Sequence, residues 1–133
     1  MRVFIFACVH NAGRSQMSAA LFNQIADPRK ARAISAGTQP AAQVHPVVVA
    51  TMQEVGIDLS MAIPQKLTVE LADGAEMLIT MGCGEECPFV PGVELEDWPL
   101  PDPKGKTIED ARIIRDEIAK RVDGLEKRKG LAR

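Results

Sequence analysis

The 133-residue chain has no apolar run near its N-terminus longer than Val3 to Val9. A membrane-spanning helix needs about 20 such residues. The segment also lacks the basic leading stretch and cleavage site of a secretory signal, so no membrane partner is expected and the setting reads as cytoplasmic. Histidine is scarce, at two residues, and cysteine stands at an odd three. An odd count without a secretory signal argues against a disulfide framework. Excess positive charge is missing too: 16 basic residues against 18 acidic give a net charge of −2, which argues against a nucleic-acid platform. The one local excess is Lys127, Arg128, Lys129 and Arg133, which suits the negative pole of a terminal helix. No repeat, low-complexity stretch or linker interrupts the chain.

What is present is ordinary for a globular protein: 46% hydrophobic and 26% charged residues. A chain of this length suggests a single domain, 1–133, able to hide roughly two-thirds of its unfolded surface. Arg2–Ala7 reads as a buried strand, and Ser15–Ile25 as a helix ended by Asp27-Pro28. Arg32–Ser35 is a second strand. Pro46–Val55 is a helix with proline in its first turn and Gly56 beyond its end. Thr68–Ala72 is a brief helix, Glu76–Met81 a third strand and Glu94–Trp98 a fourth. Pro99, Pro101 and Pro103 forbid regular pairing after it. Thr107 to about Lys127 is a helix with Thr107 as N-cap and a stripe of Ala111, Ile114, Ile118, Val122 and Leu125. Alternating strands and helices predict an α/β fold with a parallel, doubly wound sheet. Ligands of such sheets bind beyond the carboxyl ends of the strands. Cys8 and Cys83 both follow a strand directly, which places them at that edge.

The first strand runs into Cys8-Val9-His10-Asn11-Ala12-Gly13-Arg14-Ser15, and a helix follows at once. Successive N–H groups of a tight loop at a helix N-terminus make a concave anion site. Val9, His10, Asn11, Ala12 and Gly13 would form that cup, and the planar fork of Arg14 would close it over a tetrahedral oxyanion. Cys8 sits at its base, where the N–H groups, the helix dipole and Arg14 all favour a thiolate. Ser15 can donate a hydrogen bond to that thiolate, giving a nucleophile aimed at a bound oxyanion. His10 has two readings, as a group tuning Cys8 or as a loop histidine with a structural bond. Asn11 is expected to hold the loop through side-chain-to-backbone bonds.

This loop resembles the phosphate-binding loop of the low-molecular-weight protein tyrosine phosphatases. More narrowly, Arg14-Ser15-Gln16-Met17-Ser18 resembles the arsenate reductases built on that fold. The resemblance continues through Ile34-Ser35-Ala36-Gly37, Leu78-Ile79-Thr80-Met81-Gly82-Cys83, Cys87-Pro88, Asp97-Trp98 and Asp102-Pro103. It implies a four-stranded parallel sheet flanked by helices, an arsenate or phosphate-like oxyanion as substrate, and no cofactor. It also implies roles: Cys8 as nucleophile, Arg14 as oxyanion clamp and Ser15 as stabiliser of the thiolate. Asp102 before Pro103 becomes the general acid, with Asp97 as the competing candidate. Cys83 and Cys87 become the second and third redox cysteines, re-reduced by thioredoxin or another thiol reductant such as glutaredoxin with glutathione, or mycothiol.

Two departures from the family pattern stand out. Only Gly84-Glu85-Glu86 separates Cys83 from Cys87, a closer spacing than in many thioredoxin-linked members. Residues four apart on a regular helix hold their Cβ atoms about 5–6 Å apart, whereas a disulfide wants about 3.5–4.5 Å. The segment must therefore loosen for the pair to close, which Gly82, Gly84 and Pro88 favour. An inert buried pair and a metal site are the competing readings, although two histidines and one further cysteine make a poor zinc set. The second departure concerns the potassium ion that some relatives hold beside the loop. Ala19 offers no carboxylate there, and the ammonium of Lys66 is placed to stand in, so no potassium dependence is expected. The alternatives to a reductase are a phosphatase hydrolysing phosphate monoesters and a non-catalytic thiol sensor. Against the first, Lys104-Gly105 rather than aromatics follow Asp102-Pro103, and the chain has no tyrosine; the second would need neither Arg14 nor Asp102.

Overall fold

The structure, a computed structural model, describes residues 1–82 and 90–133. Its elements are β1 (Arg2–Cys8), α1 (Arg14–Ile25), β2 (Ala31–Gly37), α2 (Pro46–Gln53), α3 (Val69–Ala72), β3 (Met77–Thr80), β4 (Glu94–Asp97) and α4 (Ile108–Lys129). The strands form one parallel sheet in the order β2-β1-β3-β4. This is the predicted α/β architecture.

The side chains of β1 alternate between two cores, as the period of a strand requires. Phe4, Phe6 and Cys8 enter the larger core with Met17 and Phe22 of α1 and Ile114, Ile118 and Val122 of α4. Ile5 and Ala7 enter a smaller core on the other face with Leu67, Ala72 and Leu78. Helices cover both faces, so β1 reads as a continuous apolar run. Phe22 stacks between Phe4 and Phe6, with ring centroids 5.2 and 6.0 Å away.

Several boundaries move from their expected places. β2 is longer than Arg32–Ser35 because all seven of its positions pair with β1, from Arg2↔Ala31 to Cys8↔Gly37. α2 stops at Gln53 rather than Val55. Its last N–H groups turn to shorter-range bonds, Val55 to Met52 O and Gly56 to Gln53 O, both 3.1 Å, and Gly56 takes a left-handed φ of 81°. α4 continues to Lys129 and ends at left-handed Gly130, with Thr107 Oγ1 accepting from Asp110 N at its start. Its basic end lies in solvated pairs: Lys127 with Asp123, Arg128 with Glu96 and Lys129 with Glu94. No helix among the described residues is long and apolar enough to cross a membrane.

The chain leaves β1 for β2 on one side, while β3 lies on the other. The carboxyl ends of β1 and β3 therefore flank the point where strand order reverses, where doubly wound sheets bind ligands. Cys8 ends β1 there, and Gly82 follows β3 there.

Candidate active site

The loop after β1 turns its carbonyls outward into the protein and, among the described residues, keeps its N–H groups unspent. Val9 O accepts from Gln39 N (2.8 Å), His10 O from Ala41 N (2.9 Å), Ala12 O from His45 N (2.9 Å) and Gly13 O from Met17 N (3.0 Å). Asn11 O accepts from Gln16 Nε2 at 3.1 Å. Among the described residues, none of the N–H groups of Val9 to Gly13 meets an acceptor. A run of peptides with engaged carbonyls and available donors is what an anion cup requires.

Asn11 is the bolt of this loop. It is fully buried and holds a left-handed φ of 50°, which asparagine tolerates better than most residues. Its Oδ1 accepts from Gln65 N at 2.9 Å and from Gln16 Nε2 at 3.2 Å. Its Nδ2 donates to Ser15 Oγ at 2.8 Å. That last bond decides the chemistry of Ser15. An amide nitrogen only donates, so Ser15 Oγ accepts there and its own proton is left for Cys8 Sγ, 2.9 Å away. Cys8 is buried, 3% exposed, and it is held between the strand and this hydroxyl.

Arg14 is nearly buried at the first position of α1. Its Nη1 donates to Leu100 O at 2.9 Å, and its Nη2 lies 3.7 Å from Asp102 Oδ2. Its Nε is buried with no partner among the described residues. Orphaned buried donors of this kind are rare and call for an explanation, which an oxyanion in the cup supplies. Gly82 keeps the guanidinium in place: its φ is 86°, and a Cβ there would fall 2.6 Å from Arg14 Nη1. Gly13 is equally constrained, since a Cβ would meet Pro103 Cγ at 2.8 Å. The Asp102-Pro103 turn therefore packs directly on the cup.

The structure brings Cys8, Arg14, Ser15, the Val9–Gly13 loop and Asp102 together. Asp102 is part-exposed, and its Oδ1 accepts from Lys104 N at 2.9 Å. Asp97 sits on edge strand β4, separated from β1 by β3, and its carboxylate is occupied by Thr80 Oγ1 at 2.7 Å. His10 makes a structural bond, Nδ1 to Gln39 O at 3.1 Å. Lys66 Nζ donates to Thr38 O beside the loop, and Thr38 N in turn donates to Cys8 O. Cys83 and Cys87 lie outside the described residues. Sequence reasoning missed Gln65, Leu100 and His45. The first two act through backbone atoms, which leave no side-chain signal. His45 at the start of α2 is half-buried, and burial holds its ring below the usual histidine range, with Asp102 opposing that effect and Lys104 and His10 adding to it.

A buried cysteine under a strand-to-helix anion loop, with an arginine over it, defines a thiol enzyme that handles tetrahedral oxyanions. Residues 3–132 match the low molecular weight phosphotyrosine protein phosphatase family, and the chain belongs to that family. A glutaredoxin arsenate reductase of Synechocystis sp. is 34% identical over 128 residues, covering 94% of this chain and 96% of that one. The structure of a Corynebacterium glutamicum thioredoxin-dependent arsenate reductase superposes with a TM-score of 0.81 at 37% identity. That match covers 96% of this chain but 61% of the longer relative. An arsenate reductase solved in an oxidised state gives a TM-score of 0.84 at 32% identity, with 96% and 98% covered.

Proposed function

We propose that this protein reduces arsenate to arsenite with its own thiols. The observation that carries this reading is the Cys8–Ser15 pair at 2.9 Å beneath a loop of unengaged N–H donors, in a chain that also supplies Cys83 and Cys87. The relatives named as arsenate reductases support it.

Arsenate enters the cup as an anion, held by the Val9–Gly13 donors and Arg14. The Cys8 thiolate attacks arsenic. A sulfur–arsenic bond forms, an arsenic–oxygen bond breaks, and the leaving oxygen departs as water with a proton from Asp102. The Cys83 thiolate then attacks the Cys8 sulfur. The electron pair of the sulfur–arsenic bond stays on arsenic, which leaves as arsenite, and a Cys8–Cys83 disulfide forms. Two thiols have lost two electrons, and arsenic has gained them. Cys87 next attacks Cys83, freeing Cys8 and presenting Cys83–Cys87 to an external dithiol or small thiol in the reducing cytoplasm.

The phosphatase alternative uses the same cup, the same Cys8 and the same Asp102, so hydrolysis of a small aryl phosphate is an expected side activity. The second thiol separates the two reactions. Cys83→Ser is expected to abolish multiple-turnover arsenate reduction while sparing aryl phosphate hydrolysis, and Cys87→Ser to allow one turnover and trap Cys8–Cys83. Arsenite release and mass spectrometry of the trapped species read both. Full turnover by Cys83→Ser with thioredoxin, or with glutathione and glutaredoxin, would overturn the intramolecular relay.

A further inference from the structure

We propose that His45 is a positioning residue on the rim of the oxyanion cup, where its imidazolium strengthens capture of a dianion and steadies the Asp102 turn. The inference rests on reading the Val9–Arg14 loop as that cup.

The backbone of His45 already performs a structural task that any residue other than proline could perform. Its N–H donates to Ala12 O at 2.9 Å, and its carbonyl accepts from Val48 N and Val49 N in the first turn of α2. The ring takes no part in this. It makes no capping bond to α2, and among the described residues its nitrogens have no hydrogen-bond partner. The ring is nevertheless fixed beside the chemistry. A Cβ on Gly13 would meet Pro103 Cγ at 2.8 Å and His45 Cδ2 at 3.5 Å. The ring and the Asp102-Pro103 turn therefore both border the same glycine of the cup.

The charges facing the ring come from two loops: Asp102 and Lys104 before α4, and His10 in the cup. Asp102 favours the imidazolium, while Lys104, His10 and burial oppose it. Burial is the largest of these influences and holds the free ring towards neutral, so new negative charge nearby shifts it towards the imidazolium. A dianion entering the cup supplies that charge. By linkage, anion binding then promotes protonation of His45, and protonation of His45 tightens anion binding by the same factor. A cationic ring also attracts the Asp102 carboxylate, which accepts from Lys104 N at 2.9 Å and lies 3.7 Å from Arg14 Nη2.

Sulfate tests this because it stays dianionic from about pH 5 to 8, the range over which a histidine changes charge. The readout is its protection of Cys8 against alkylation, followed on the Cys8 peptide by mass spectrometry. The sulfate Kd of His45→Asn relative to wild type should rise from about 1 near pH 8 to about 3- to 10-fold near pH 5.5. His45→Gln should repeat this, so that a folding defect in one variant does not decide the outcome. His45→Lys, with a permanent charge, should bind at least as tightly as wild type at both ends of the range. A His45→Asn ratio that is flat with pH, or a His45→Lys variant no better than His45→Asn, would overturn the inference and leave the cup intact. Failure of sulfate to protect Cys8 in the wild type would instead overturn the cup itself, and the inference with it.

Discussion

Two buried side chains carry polar atoms without a hydrogen-bond partner among the described residues, and they sit at opposite ends of β1. Arg14 Nε lies beyond its carboxyl end, and both carboxyl oxygens of Glu126 lie toward its start, where Arg2 donates to the neighbouring Lys129 O. The same description covers both, yet their surroundings give them different meanings. Around Arg14, Asn11, Ser15 and Gln16 are all satisfied, the loop N–H groups are held back, and Gly82 makes room for the guanidinium. One unmet donor in an otherwise completed network marks the place of an anion. Among the described residues, no donor engages the Glu126 carboxyl. It follows Val122 by four residues and extends the apolar stripe of α4 into the core. Such a group avoids the cost of burial by keeping its proton.

The comparison breaks first at Arg14. Arg14→Lys keeps a positive charge but loses the planar fork and the Nε donor, so kcat/KM for arsenate should fall at least about 100-fold. Wild-type kinetics in that variant would mean that the orphaned Nε is incidental. In the proposed mechanism Asp102→Asn removes the proton donor for the leaving oxygen while leaving the cup intact. It should lower kcat about 10- to 100-fold with little change in oxyanion affinity. Asp97→Asn should do much less, because its carboxylate is engaged by Thr80; a larger loss there would reverse the roles. Gly82→Ala tests the space made for the guanidinium. Its Cβ would collide with Arg14 Nη1 at a φ of 86°. Activity should fall about 10-fold, with a loss of about 1–2 kcal/mol in stability from the strained backbone. Thermal melts alongside kinetics separate the two effects.

Much of the Arg14 region was legible in the sequence, because its chemistry is local. Cysteine, five residues and arginine between an apolar strand and a helix place nucleophile, cup and clamp within one turn. The alternation of strands and helices likewise pointed to a parallel sheet, and the stripe of α4 to its buried side. What was not legible arrives from far along the chain: Gln65 N on Asn11 and Leu100 O on Arg14 through backbone atoms, and the His45 ring beside Gly13. Glu126 escaped for a related reason. Next to Lys127, Arg128 and Lys129 it reads as one more solvated charge. Its burial comes from the chain end folding back, with Leu131 N donating to Glu126 O at 2.9 Å and Ala132 bridging to Ala26.

The smallest effect on activity belongs to Glu126, and it sharpens the comparison most. Burial, aided by Asp123, pushes its carboxyl up to about 7 from an ordinary 4.5. Below about pH 4.5 the carboxyl is protonated in both folded and unfolded chains and contributes no penalty. Between about 4.5 and 7 the unfolded chain releases the proton while the folded one retains it, so stability falls as pH rises. Above about 7 the folded protein carries the buried charge and the loss is complete. Glu126→Gln keeps the shape of the protonated acid and cannot ionise. It should match wild type near pH 4.5 and be more stable by about 1–3 kcal/mol near pH 8, with a higher Tm by roughly 4 °C per kcal/mol. Arsenate turnover should be unchanged, since Glu126 lies at the far end of the sheet from Cys8. Denaturant melts at the two pH values check the sign. Equal stability of variant and wild type across the range would show that Glu126 finds a partner for its charge, and the contrast with Arg14 would then collapse to one orphan rather than two.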